Sequence, residues 1–232
     1  MSLETVANYT RAIKSFFSFL AREELLPENP MRKVRSPKAP RKVMPTFTEA
    51  ELERLLSQPN KKSPLGFRDY TFMLTLVDTG IRLSELRGLC LGDVDLANGY
   101  LRVMGKGGKE RYVPIGAKLS KVLLKYQMLH RTRDSGCQSF FLTRDGRLIS
   151  QKKVQELIRK YGERAGIRKR CSPHTFRSTS AVLYLRNGGD PFSLQKKLGH
   201  SSLAMTRRYS ELADSDVRAA HLKYSPADRL RA

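Results

Sequence analysis

Between positions 172 and 210 the chain reads S-P-H-T-F-R-S-T-S-A-V-L-Y-L-R-N-G-G-D-P-F-S-L-Q-K-K-L-G-H-S-S-L-A-M-T-R-R-Y-S. His174 and Arg177 have a spacing that puts both on one face of a helix. Gly199 is placed to end a helix just before His200, and Tyr209 follows one short helix later. A guanidinium such as that of Arg177 forks two hydrogen bonds onto the non-bridging oxygens of a phosphate. A phenol, with an ordinary pKa of about 10, becomes a useful nucleophile only where neighbours stabilise its phenolate. Arg207, Arg208 and His200 are close enough in sequence to Tyr209 to do so. The stretch therefore reads as a phosphate-handling centre with one oxygen nucleophile. Taken alone, it is also compatible with a packing tyrosine and a surface Arg/His pair, and Tyr224 after His221 is a rival nucleophile.

Two upstream segments offer further cations. Arg82 follows Thr79-Gly80-Ile81, and Glu85 is one helical turn further on, where its carboxylate can lock the Arg82 guanidinium or simply form an ion pair with it. Lys106 sits in Gly105-Lys106-Gly107-Gly108, a glycine-rich turn that carries an ammonium without bulk, with Lys109 as its rival.

Charge points to the partner. The chain has 44 Lys+Arg against 22 Asp+Glu, a formal net charge of +22, which self-repels unless a polyanion is bound. The basic residues are spread along the whole chain, which disfavours a membrane surface and favours nucleic acid. No run reaches the ~18 apolar residues of a membrane span, and the start M-S-L-E-T-V-A-N-Y lacks a signal-peptide layout, so a cytoplasmic protein is expected. Cys90, Cys137 and Cys171 form no C-x-x-C pair, so reduced thiols are expected, with no disulfide framework and no metal site.

The elements that must position these residues follow from hydrophobic period. Val6, Tyr9, Ile13, Phe16, Phe17 and Leu20 predict an amphipathic helix over 2–26, stopped by Pro27 and Asn29-Pro30. Residues 31–45 hold Arg32, Lys33, Arg35, Lys38, Arg41 and Lys42 among three prolines, an extended basic linker suited to phosphate contact. Thr48 and Glu51 predict a capping box, and helices follow at about 67–78 and 82–89. From 93 to 114 the period changes to two, giving three short strands around Gly99 and the 105–108 turn. Helical patterns return through Leu119–Tyr126 and Val154–Tyr161. The expected fold class is mainly α with a small three-stranded antiparallel β-sheet, an α+β arrangement.

Taken together, T-G-I-R-L-S-E-L (79–86), G-K-G-G-K-E-R-Y-V-P (105–114), P-H-T-F-R (173–177), L-G-H-S-S (198–202) and R-R-Y-S (207–210) resemble, in order and spacing, the tyrosine recombinases of the phage-integrase and Xer type. The resemblance spans nearly all of 45–225. It implies that Arg82, Lys106, His174, Arg177, His200 and Tyr209 are catalytic, with Glu85 supporting Arg82. It implies site-specific cleavage and rejoining of DNA through a 3′-phosphotyrosyl link, with no cofactor, metal or ATP. It further implies double-stranded DNA as partner and a homotetramer on synapsed DNA, monomeric when free. Phe176 and Ser178 depart from the family's usual H-x-L-R-H-T. By the same resemblance, residues 1–30 correspond to the closing part of a helical DNA-binding domain, 31–45 to a linker and 46–232 to a catalytic domain. A type IB topoisomerase and a truncated, non-catalytic DNA-binding regulator remain as alternatives.

Overall fold

The computed structural model describes the chain outside residues 38–43, 106–107, 133–135, 201, 214–220, 222–224, 226 and 230–232. It divides into two units, Met1–Val43 and Met44–Ala232. In the first, α1 (Leu3–Arg22) starts where the Ser2 side chain accepts a hydrogen bond from the Thr5 amide. It stops at Arg22 rather than at 26, because the backbone turns left-handed at Glu24 (φ 57°) and the Leu25 amide closes onto the Leu20 carbonyl. Chain reversal ends this helix before Pro27 is reached. The basic stretch is not extended from its start, since the Arg32 and Val34 amides donate to the Asn29 and Met31 carbonyls in successive turns. Arg32, Lys33 and Arg35 are exposed, while Lys38, Arg41 and Lys42 lie outside the described residues.

In the second unit, α2 (Glu49–Ser57) opens with the expected capping box: Thr48 Oγ1 accepts from the Glu51 amide, and Glu51 Oε2 accepts from the Thr48 amide. The axis of this unit is α3 (Pro64–Thr79), capped by Ser63 and buried on almost every side. A helix buried all round must satisfy its own polar groups. Thr71, Thr75 and Thr79 do so by donating to the carbonyl four residues back, at 2.7, 2.8 and 2.5 Å. Phe67, Phe72, Met73 and Leu76 then fill the core. Packed against α3 is α7 (Pro173–Arg186), whose buried Thr175, Ser178, Thr179, Ser180 and Ala181 are small enough to permit a close approach.

After α3 come the short α4 (Leu83–Gly88) and an antiparallel sheet of β1 (Val94–Asp95), β2 (Tyr100–Met104) and β3 (Glu110–Pro114) in that order. Leu101 pairs with Val113, and with Val103 these turn inward. β1 is shorter than the period suggests, since Leu96 already lies in the turn toward Gly99. Then follow α5 (Ala117–Lys125), extended by a wider turn over Tyr126–His130, and α6 (Gln151–Arg164). Next come α8 (Pro191–Leu198) and α9 (Leu203–Ala213), and a single 3-10 turn follows at Ala227–Arg229. One apolar cluster gathers α2 to α6, the sheet and Phe176. A smaller one gathers Ala181, Val182, Leu194, Leu198, Tyr209 and Ala213. Helix α7 feeds both, so the seam between the two clusters runs past its N-terminal half.

Gly80 caps α3 at φ 65°, and a Cβ there would lie 2.7 Å from Leu198 Cδ2, in the fully buried smaller core. Gly166 is also left-handed, at φ 66°, but in open space. Gly166→Ala is expected to lose only the conformational cost of roughly 1–2 kcal/mol. Gly80→Ala should lose clearly more in a urea-unfolding comparison, because crowding adds to the same backbone cost.

Candidate active site

Arg82 is placed by the cap of α4. Its own amide donates to Glu85 Oε2 at 2.7 Å, and its Nη1 donates to Glu85 Oε1 at 2.9 Å. Arg111, reaching in from β3, donates Nη1 and Nη2 to the two oxygens of the same carboxylate at 2.8 and 2.9 Å. Burial by itself would raise the Glu85 carboxyl, but the Arg111 and Arg82 hydrogen bonds outweigh it and hold the group below the ordinary carboxylate range. Glu85 is a charged anchor between two guanidiniums.

The remaining positive charge is balanced by helix ends. A helix C-terminus leaves carbonyls without intrahelical partners and carries the negative end of the helix dipole. The C-termini of α3 and α8 meet here. Arg177 on α7 donates Nη1 to the Gly80 carbonyl at 2.7 Å and Nη2 to the Leu198 carbonyl at 2.8 Å. Arg82 Nη2 reaches the Gly199 carbonyl at 3.4 Å, and Arg111 Nε reaches that of Lys197 at 3.1 Å. Lys197 Nζ in turn donates to the Asp78 carbonyl at 2.8 Å, tying the two helix ends together. Burial, then the nearby Arg82, lowers the Arg177 guanidinium to about 10, so it stays charged at neutral pH. Of its five N–H donors, two hold the carbonyls and others are left for an anion.

His200 follows the left-handed Gly199 that ends α8 (φ 64°). Its Nδ1 lies 3.0 Å from the Thr206 hydroxyl, and its ring stacks on Tyr209 at 5.8 Å and 17°. Burial first, then the charges of Arg177, Arg82 and Arg111, push the imidazole down to about 4. It is therefore neutral at pH 7. Tyr209 is buried on α9 within the smaller core cluster, one helical turn after Thr206.

Arg82, His174, Arg177, His200 and Tyr209 all line one open cleft of about 400 Å³, together with Met205, Arg170 and Ser172. Within it the pair on α7 divides: Arg177 is buried while His174 is exposed at the rim. Lys106 lies outside the described residues, as does the rival Tyr224. The described base of the Lys106 turn is closed by the Gly105 amide donating to the Lys109 carbonyl at 2.8 Å. Among the described residues no three His, Cys, Asp or Glu side chains gather in a way that could hold a metal ion.

Sequence reasoning passed over Arg111 and Thr206. Arg111 had a signal: it shares the inward-facing phase of β3 with the buried Val113, and a charge on an apolar strand face needs a partner. Thr206 had only its helical spacing to Tyr209, visible once α9 is placed.

The phage integrase family matches residues 45–216. Over 231 residues the chain is 33% identical to tyrosine recombinase XerD of Staphylococcus epidermidis, covering 97% of this chain and 77% of that protein. It is 34% identical over 229 residues to XerC of Pelotomaculum thermopropionicum, covering 96% and 75%. Among solved structures, the crystal structure of XerA recombinase superposes with a TM-score of 0.68 at 30% identity, over 96% of this chain and 76% of that one. XerH recombinase bound to its palindromic difH substrate shares the fold, with a TM-score of 0.78 at 22% identity over 98% and 68%.

The low pKa of His200 has a consequence for stability. The unfolded chain, with an imidazole near 6.5, binds a proton that the folded chain refuses until about pH 4. Protonation therefore favours unfolding, and stability is lost as pH falls from 6.5 toward 4. His200→Asn should remove that part of the acid loss, on the order of 2 kcal/mol. Urea unfolding of both proteins at pH 7 and pH 4.5 reads the difference, from which the carboxylates common to both largely cancel.

Proposed function

The chain belongs to the phage integrase family of tyrosine recombinases, and on that premise we propose the residue roles by which it cuts and rejoins DNA at a specific site. Its function is that of a site-specific recombinase. The XerC and XerD relatives favour this over a topoisomerase or a non-catalytic regulator. The observation that carries the roles is the convergence of Arg82, His174, Arg177, His200 and Tyr209 on one cleft.

In the proposed reaction the Tyr209 oxygen forms a bond to a scissile phosphorus and the bond to the 5′-oxygen breaks, leaving a 3′-phosphotyrosyl link and a 5′-hydroxyl. Phosphodiester energy is kept in the link, so rejoining is the same step reversed. Arg82 and Arg177 bind the non-bridging oxygens, with Glu85 holding Arg82 in place. Thr206 at Nδ1 favours a neutral His200 that presents its Nε2 proton to the same oxygens. His174, at the rim, takes the phenol proton. Lys106 gives a proton to the leaving 5′-oxygen. Such fixed donors stabilise charge that grows in the transition state.

We further propose that residues 46–232 are the catalytic domain, with residues 1–30 the closing part of a helical DNA-binding domain and the basic linker 31–45 following the phosphate backbone through Arg32, Lys33, Arg35, Lys38, Arg41 and Lys42. The working assembly in this reading is a tetramer on two duplexes, in the cytoplasm. Among the described residues no helix is long and apolar enough to cross a membrane.

A nicked suicide substrate carrying the cognate site traps the covalent adduct. Tyr209→Phe is expected to give none, and an adduct that survives this change would move the nucleophile elsewhere. Arg177→Ala should slow adduct formation by ~10²–10³, the loss typical of a transition-state donor.

A further inference from the structure

Glu85 is an acid set directly behind the arginine proposed to bind phosphate, and a carboxylate there opposes the chemistry. Its side chain is 3% exposed and hydrogen-bonded to Arg82. Left alone with Arg82 it would cancel that residue's charge at short range in a site of low dielectric. Arg111 alters the balance. Its fork takes both carboxylate oxygens, at 2.8 and 2.9 Å, whereas the Arg82 side chain reaches only one of them. Arg82 lines the cleft, while Arg111 lies behind Glu85 against the Lys197 carbonyl. Gly199 packs over its guanidinium so closely that a Cβ would lie 3.1 Å from Cζ.

We infer that Arg111 is a charge-balancing residue: it neutralises Glu85 from behind so that Glu85 can position Arg82 without taking its charge from the phosphate. Arg82, Arg111 and Arg177 with Glu85 leave two positive charges in this cluster, with His200 neutral, and Arg170 on the cleft wall adds to them. A phosphodiester carries one negative charge, and the pentacoordinate state reached when a phenolate adds carries two. An excess of positive charge over that of a phosphodiester favours the more negative transition state over the substrate, which is the condition for raising rate. Arg111 touches neither reacting atom and acts through Glu85. This inference rests on the recombinase roles proposed above.

The same arrangement predicts a readout that a purely structural clamp would not move. His200 faces Arg177 on α7, Arg82 at the start of α4, Arg111 on β3 and Tyr209 on α9, with Arg170 and His174 lining the same cleft and Glu85 as the one carboxylate of the cluster among the described residues. Removing the Arg111 charge should raise the His200 titration midpoint. Removing the Glu85 charge as well should bring it back down.

The experiment compares wild type, Arg111→Met, Arg111→Lys and the double variant Arg111→Met/Glu85→Gln, by single-turnover cleavage of the suicide substrate and by NMR titration of His200. Arg111→Met should lose roughly tenfold to a hundredfold in cleavage rate, from one uncompensated charge in a partly buried site. The double variant keeps an acceptor for Arg82 and restores the net charge, so it should recover most of that loss and return His200 toward its wild-type midpoint. Arg111→Lys, which keeps the charge without the fork, should stay within a few fold of wild type and serves if the methionine variant does not fold. A double variant no faster than Arg111→Met, with His200 unmoved throughout, overturns the inference, as does a lysine variant as slow as the methionine one. Absence of any wild-type adduct would instead overturn the proposed roles, and the His200 titrations would still decide the charge balance.

Discussion

Three guanidiniums crowd into a partly buried pocket, and their mutual repulsion is the constraint on which the rest of the site depends. One carboxylate, Glu85, holds two of them. The third, Arg177, is held by carbonyls at the ends of two helices. The charges and the groups that hold them come from different parts of the chain: α4, β3, α7, the end of α3 and the end of α8. The pocket exists only where these elements meet. Gly80 and Gly199 make the meeting possible, because each lets a helix stop with its last carbonyls aimed at an arginine.

This arrangement sets the character of His200. An imidazole beside three guanidiniums and largely removed from water cannot hold a proton near neutrality. The residue is thereby a neutral hydrogen-bonding group near neutral pH, oriented by Thr206 and stacked on Tyr209. Because Thr206 and Tyr209 both belong to α9, the helix that carries the proposed nucleophile also orients its neighbour.

Much of the frame was legible because it is written in local chemistry. The Thr48/Glu51 capping box, the left-handed glycines 80 and 199 and the change to a period of two near 94 each act within a few residues, and the helices and strands form where those signals lie. The end of α1 was less legible: proline seemed the stop, but a backbone reversal at Glu24 came first. Likewise the basic stretch opens in turns stitched through the Asn29 and Met31 carbonyls, which composition alone does not reveal.

The sequence by itself determined which side chains are available and on which local element each stands, since caps, turns and periodicity are short-range effects. It also set the excess of positive charge that calls for a polyanion. Only the tertiary structure decided that Arg111 shares Glu85 with Arg82, that Arg177 is held by two helix ends, and that His200 is neutral. Those facts depend on desolvation and on contacts between residues far apart in the chain. A pKa or a shared carboxylate has no local signature, because its cause is the company that folding brings together.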